Sequence, residues 1–384
     1  MCKMPDRAWV EIDLDAIANN LVEIKRHLGD GVRVNGVIKA DGYGHGAIMT
    51  AQVLCEKGID MLSVATLDEA LQLRKVMTEV PILVLGYTEI DRVDEIVSNN
   101  IIVTIFDRGL AEKLSDEAVS KGCRVTVHIK LDTGMNRIGF HYTDEDSIFR
   151  TFELRGLDIT GTFTHFSTAD EEDSTYTELQ YKRFCAIIGK LRSRGMDPGI
   201  CHVNNSGGIM MHGDKSMDMV RAGLILYGLY PSEHSEKTSG LSLANAMTMK
   251  ARIIKVKTIE PGEHVSYGNN FITGRSTRVA TISCGYADGY SRVLSGKAEV
   301  LVNGQKAPVI GNICMDMCMA DITDIEGDVE PGDSAILFNN EITAGQIASM
   351  TGTISYEIVC RIGMRIPRVY LKDGRILGIT NYLL

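Results

Sequence analysis

The chain has 384 residues, of which 44% are hydrophobic and 23% charged, with a formal net charge of -10. That length exceeds what one hydrophobic core usually fills, so two domains are expected, and the composition is that of an ordinary soluble globular protein. The acidic balance argues against nucleic acid as the main partner, because a phosphate backbone needs a positive field.

The opening stretch Met1-Cys2-Lys3-Met4-Pro5-Asp6-Arg7 has no apolar core of a secretory signal. No apolar run approaches the ~20 residues of a membrane helix, so no membrane association is expected. The nine cysteines are odd in number and scattered, which points to free thiols in a reducing cytoplasm. The closest pair, Cys314 and Cys318, has no second Cys/His pair at zinc spacing, so no metal is expected.

Taken in chain order, β-branched apolar runs begin near Val32, Met61, Pro81, Ile101, Arg124, Ile159, Ile200 and Val220. Between them lie amphipathic stretches such as Leu67–Arg74, where apolar residues recur at helical spacing. Strand–helix alternation implies parallel strands, and eight such units in this span fit a (β/α)8 barrel, which typically takes ~250 residues. The texture changes near Ser239-Gly240. Beyond it the runs are shorter, Val302-Asn303-Gly304-Gln305 reads as a hairpin with a type I′ turn, and Pro261-Gly262 and Pro331-Gly332 break the pattern. One helix is expected from Ala344 to Met350. The expected architecture is therefore α/β: a TIM-like barrel over 10–240 and a mostly β domain over 241–384, on which residues 1–9 could pack.

In a parallel barrel, chemistry sits where the strands end at the C-terminal face. The first strand runs into Lys39, followed by Gly42-Tyr43-Gly44-His45-Gly46. Three glycines in five residues allow backbone to approach a ligand closely, and Tyr43 can donate to a phosphate oxygen. The fifth strand leads to Lys130 and Arg137, and the sixth to His165. The seventh leads to Asn204-Asn205-Ser206-Gly207-Gly208, an amide-rich anion cradle, and the eighth carries Arg221, Gly223 and Leu224. Taken singly, each of these residues also has an ordinary structural reading. Together they set a lysine, an arginine, a histidine and a phosphate cradle around one mouth.

The blocks KADGYGHG at Lys39, HFSTAD at 165–170, NNSGG at 204–208, VRAGLILYG at 220–228, GYADGY at 285–290, ICMD at 313–316 and SYEIVCRI at 355–362 resemble alanine racemase. This is the barrel-plus-β-domain family of pyridoxal-phosphate enzymes. The resemblance runs from about Ala8 to Tyr370 and implies interconversion of L- and D-alanine, supplying D-alanine for peptidoglycan. It makes Lys39 the lysine that carries pyridoxal 5'-phosphate and the base on the D-face, and Tyr286 the base on the L-face. Their unperturbed pKa values of ~10.4 and ~10 must be lowered by neighbouring charge or burial for that task. The resemblance also sets Arg221 against the pyridine nitrogen, with His165 bonded to it. An arginine keeps its proton, so the ring nitrogen would stay largely unprotonated and side reactions would be suppressed.

By the same resemblance, Arg137 holds the cofactor's phenolic oxygen and the substrate carboxylate, and Lys130 matches a lysine that can be carbamylated. Tyr43, Asn205, Ser206, Tyr356 and the amides of Gly223 and Leu224 surround the cofactor and its phosphate, and Met315 offers its amide to the substrate carboxylate. Two departures are visible: Asp41-Gly42 stands where many members have Asn-Ala, and Asn136 where glycine is common. Gly42 is expected to loosen its loop slightly. Tyr286 and Met315 fall in the β domain, so the resemblance implies a head-to-tail homodimer with shared sites. Alternative readings are a serine or broad-specificity racemase, a decarboxylase of basic amino acids on the same plan, and a non-catalytic pyridoxal-phosphate carrier. Tyr356 should narrow the pocket towards alanine, Arg221 argues against the decarboxylase, and the β domain argues against the carrier.

Overall fold

A computed structural model describes residues 4–384. The chain divides into two compact units, one of Ile17–Gly42 with Ala47–Ala244, the other of the segment up to Ala16, Tyr43–Gly46 and Asn245–Leu384. Strand β1 (Ala8–Asp13) belongs to the second unit.

The first unit is built on β2 (Arg33–Val37), β3 (Met61–Val64), β4 (Ile82–Val84), β5 (Ile101–Ile105), β6 (Val125–Asp132), β8 (Leu157–Phe163), β9 (Ile200–His202) and β10 (Met219–Ala222), with a two-residue β7 (Phe140–His141) beside β6. Among the described residues these eight strands, β7 apart, pair in parallel in the cyclic order β2-β3-β4-β5-β6-β8-β9-β10 and back to β2. The sequence expectation of a TIM-like barrel is met strand for strand. The reason is legible in β5, Ile-Ile-Val-Thr-Ile, buried at every position, as a strand covered on both faces must be. Helices follow with conventional caps. Thr66 and Glu69 form a reciprocal capping box on Leu67–Arg74, and Asp107 accepts from Leu110 N at the start of Arg108–Ser120.

The two ends of the barrel differ in chemistry. Met61, Leu83, Ile102 and Met219, all near strand starts, pack together and plug the N-terminal end. The strand ends carry Lys130, Asp132, Thr164 and the loops that follow. An apolar floor under a polar mouth leaves only the C-terminal face available for chemistry.

The second unit adds β11 (Met247–Ile259), β12 (Thr277–Ile282), β13 (Glu299–Val302), β14 (Gln305–Ile310), β15 (Cys318–Asp321), β16 (Ser334–Phe338), β17 (Arg368–Lys372) and β18 (Arg375–Thr380). Among the described residues, β11-β16-β13-β14-β15-β12 close an antiparallel ring, and β1, β17 and β18 extend the sheet from β11. A register shift between Ile253 and Lys255 lets the long β11 pair with β12 along its later part. The turn between β13 and β14 has Asn303 at φ 51 and Gly304 at φ 73, both in the left-handed region as a type I′ turn requires. The helix expected near Ala344 spans Ala344–Thr351, capped by Thr343.

Candidate active site at the strand ends of the barrel

Strand β2 ends at Val37, and Lys39 begins the loop that follows it. Ala40, Asp41, Gly42 and Tyr43 then adopt φ of 52, 52, 62 and 54, a left-handed turn that costs each non-glycine residue roughly 1–2 kcal/mol. Three contacts hold it: Gly42 N–H donates to Ile38 O at 2.9 Å, Ala47 N–H to Asp41 Oδ1 at 2.9 Å, and Ala40 N–H to Glu69 Oε1 at 2.7 Å. Gly42 therefore relieves strain at a left-handed position, which corrects the expectation that it merely loosens the loop. Strain of this kind persists where the surroundings over-determine it, commonly at functional sites.

Lys130, His165 and Arg221 lie on or just after β6, β8 and β10, and their electrostatics tie them to Lys39 and Arg137. Burial, reinforced by Arg137 and Arg221, lowers the pKa of Lys130 to about 7. Burial and the charges of Arg221, Lys130, Arg137 and Lys39 push His165 well below its ordinary value, so it is neutral. Burial draws Arg221 down to about 9, which leaves it cationic near neutral pH. Arg221 NH1 donates to His202 Nδ1 at 2.8 Å and His202 O at 3.0 Å. NH2 donates to Thr164 O at 2.7 Å and Val203 O at 2.9 Å, with His165 Nδ1 at 3.3 Å. Its Nε–H has no hydrogen-bond partner among the described residues. The loop to Arg137 is shaped by Asp132 Oδ1, which accepts from Gly134 N at 2.9 Å and Asn136 N at 3.1 Å. Asn136 has φ 55, the left-handed conformation that asparagine tolerates better than most residues. That explains its presence where glycine is common in the family it resembles.

In the cradle after β9, Asn205 caps the helix Ser206–Met211 by accepting from Gly208 N at 3.0 Å, and donates to Phe166 O at 3.1 Å. Ser206 Oγ accepts from Gly223 N at 3.1 Å. Gly223 in turn precedes the 3-10 turn Leu224–Tyr227. Ser206 Oγ and the Gly223 amide thus come together, with Leu224 next in the chain.

The other predicted residues lie in the second unit. Tyr43 and Tyr356 face one another there, with ring centroids 6.2 Å apart, and burial raises the pKa of Tyr43 so that its phenol stays protonated. Tyr286 is 42% exposed and Met315 52% exposed. Their loops are stitched together: Tyr286 N donates to Cys314 O and Ala287 N to Met315 O, both at 3.0 Å. Met315 N–H itself has no partner among the described residues. Beneath them, Asp288 binds Arg7 and Arg365, and Arg365 also binds Asp316. Burial works to raise the pKa of Asp288, but these two arginines outweigh it and hold the group ionised.

Sequence reading did not single out five further residues that the structure draws attention to. Glu69 was visible in principle as the last residue of a Thr66-x-x-Glu69 capping box. His128 and His202 carried no local signal, because their partners are distant in sequence, and the same holds for the arginine partners of Asp288, Arg7 and Arg365. A fifth, Tyr267, is 75% exposed on a loop whose backbone is strained, with φ 70 at Ser266, 78 at Gly268 and 51 at Asn269. Ser266 Oγ donates to Asn312 O at 2.5 Å and Asn312 Nδ2 to Tyr267 O at 2.7 Å, which fastens Tyr267 to the segment leading to Met315.

Residues 12–231 match the family described as alanine racemase, N-terminal domain, and residues 246–370 the one described as alanine racemase, C-terminal domain. The chain is 44% identical over 381 residues to alanine racemase 1 of Clostridium acetobutylicum, covering 98% of each chain. It superposes on the solved alanine racemase of Clostridium difficile 630 with a TM-score of 0.95 at 40% identity, covering 100% of both chains. The alanine racemase of Bartonella henselae, solved with covalently bound pyridoxal phosphate, gives a TM-score of 0.86 at 29% identity, over 96% of this chain and 100% of that one. The barrel with its basic mouth, the second β unit and these full-length likenesses lead to one assignment: the chain belongs to the alanine racemase family of isomerases.

Proposed function

We propose that this enzyme interconverts L- and D-alanine with pyridoxal 5'-phosphate carried on Lys39, by removing the Cα proton on one face and returning it on the other. The observation that carries this reading is the cluster of Lys39, Arg137 and Arg221 around Lys130 at the strand ends, which calls for an anionic ligand. Within that cluster Arg221 keeps one N–H, on Nε, unused by the described residues. The donor set fits a cofactor with a phosphate, a phenolic oxygen and a ring nitrogen.

When bound, pyridoxal phosphate supplies the electron sink that makes the Cα proton removable. Lys39 Nζ anchors it and moves the proton on the D-face. Arg221 Nε–H would be the donor offered to the ring nitrogen, and neutral His165 supports that arginine. Arg137 orients the phenolic oxygen and the substrate carboxylate, and Met315 N–H gives the carboxylate a second donor. Ser206 and the amides of Gly223 and Leu224 would take the phosphate, the Gly223 N–H turning to it from Ser206 Oγ, which it bonds in the structure, with Asn205 capping the helix that presents Ser206. The resemblance assigns the phenols of Tyr43 and Tyr356 to the same group. Lys130, held near pKa 7, has the neutral amine needed for carbamylation, and its negative carbamate would pair with Arg137.

A phenol of the second unit serves the L-face. Family resemblance points to Tyr286. Tyr267 has structural support of its own, since its strained, clamped loop and exposed ring are the marks of a residue held for use. Phenylalanine at the position that works is expected to lower turnover by about 10²–10⁴-fold, and phenylalanine at the other far less. Solvent-deuterium incorporation from L- against D-alanine then reports which face was lost.

The product would supply D-alanine for peptidoglycan, and a homodimer would complete each site with a partner's tyrosine. The eight described cysteines form no disulfide with one another, in keeping with a reducing cytoplasm. No helix among the described residues is long and apolar enough to cross a membrane. The test is a coupled assay of L-alanine conversion with and without added cofactor, with borohydride reduction and peptide mapping. Label on Lys39 is expected. Label elsewhere, or normal turnover by Lys39→Ala, overturns the reading.

A further inference from the structure

Behind Arg221, inside the barrel, stands a column of aromatic and imidazole rings that the reaction as described does not use. His202 on β9 accepts Arg221 NH1 through Nδ1 at 2.8 Å, and its Nε2 lies 3.0 Å from Nδ1 of His128 on β6. His128 reaches across β8 to make that contact, and it passes over Gly161, where a Cβ would lie 2.6 Å from the imidazole ring. Phe163 stacks parallel on His202 with centroids 4.8 Å apart, and the guanidinium carbon of Arg221 lies 5.2 Å from the centre of the same ring. His128, His202 and Arg221 are all buried.

The proton positions in this column follow from the chemistry of the donors. Arginine has no acceptor, so Arg221 must donate and His202 Nδ1 must carry a lone pair. The proton of neutral His202 is then on Nε2 and points at His128 Nδ1, which must also carry a lone pair. The proton of His128 is therefore on its own Nε2, and that buried atom has no hydrogen-bond partner among the described residues. An orphaned buried donor is unfavourable. Its retention is the mark of a network set from the arginine end.

We infer that His202 and His128 are positioning residues: a two-ring tautomer relay that fixes the guanidinium of Arg221 so that its Nε–H faces the mouth of the barrel. The relay needs both rings neutral. Burial first, and the charge of Arg221 second, bring His128 down to about 3 and keep His202 well below its ordinary value. The inference rests on the reading of Arg221 as the group that meets the cofactor's ring nitrogen.

Its first test is nitrogen NMR of the protein labelled with ¹⁵N-histidine, recorded with and without pyridoxal phosphate. Both His128 and His202 are expected as Nε2–H tautomers in either sample. A Nδ1–H or mixed tautomer at His202 overturns the relay. The second test compares His202→Asn, whose side chain can replace the Nδ1 acceptor, with His202→Gln, which is larger and replaces only the Nε2 position. The readouts are cofactor affinity and the absorption maximum of the bound cofactor, in the absence of substrate. Asparagine is expected to keep affinity within about threefold, and glutamine to weaken it about tenfold or more and shift the band. If the ring merely fills space, the larger glutamine does as well as asparagine or better, and the inference fails. Should the wild-type chain bind no pyridoxal phosphate, it is the assignment of function that falls, and the tautomers alone decide the relay.

Discussion

The carboxylate of Glu69 joins two barrel loops, with one oxygen accepting Ala40 N–H at 2.7 Å and the other Ala65 N–H at 2.8 Å. It thereby holds the first residue of the left-handed turn directly after Lys39, while also capping the helix Leu67–Arg74. Glu69→Ala removes these bonds together. A stability loss of about 1–2 kcal/mol is expected from the lost cap and hydrogen bonds. Displacement of the lysine should add a fall in kcat of about 10-fold or more. Thermal unfolding and steady-state turnover measure the two separately, and a variant that loses stability but keeps kcat would show that the turn is held by other means.

Lys130 makes stability depend on pH in a defined direction. Its folded pKa of about 7 lies below the unfolded value of ~10.4, because burial beside Arg137 and Arg221 disfavours the charged form. Between those values the unfolded chain binds the extra proton, so stability rises with pH through that window. The penalty is complete below about pH 7. In carbon dioxide-free buffer, wild type is expected to gain up to about 1.4 kcal/mol per pH unit relative to Lys130→Met. Denaturant melts at several pH values check the slope.

The same amine should react with carbon dioxide. Its lone pair attacks the carbon, a C–N bond forms, and one N–H proton leaves to solvent, giving a carbamate of charge -1. With ¹³C-bicarbonate a protein-bound carbamate resonance is expected in wild type and not in Lys130→Arg. Its absence from wild type would leave Lys130 a plain neutral amine.

Gly285 keeps the loops of Tyr286 and Met315 in contact, because a Cβ there would lie 2.3 Å from Cys314 O and 2.4 Å from Met315 O. Backbone oxygens of a paired segment cannot yield as a flexible side chain would. Gly285→Ala is expected to cost about 1–3 kcal/mol, as overpacking does, and to raise KM for alanine by separating the two loops. Unaltered KM would detach Met315 from substrate binding.

Shared sites can be tested by mixing Lys39→Ala chains with Tyr286→Phe chains, and in parallel with Tyr267→Phe chains. Random pairing would give hybrids with one intact site each, and about a quarter of wild-type activity should return for the tyrosine that works. No recovery with either partner excludes a site completed in trans.

The eight barrel strands could be read from the chain alone because a parallel strand buried on both faces writes its environment into consecutive side chains, as in Ile101–Ile105. The Asn303-Gly304 turn was equally legible, since only a few residue types accept its left-handed backbone. Lys39, Arg221, His165 and Ser206 stood out by position at strand ends. The sequence by itself also determined which donors are available: cations and amides around one mouth, and an arginine that stays cationic near neutral pH. Only the tertiary structure decided how they are held. Strand β1 pairs with β11 and β17, hundreds of residues away, and no local pattern announces such partners. The contact of His128 with His202 depends on an absent side chain at Gly161, on the strand between them. Composition and periodicity record what each residue needs from its surroundings. They do not record which distant residue supplies it, because that choice is made when the chain closes on itself.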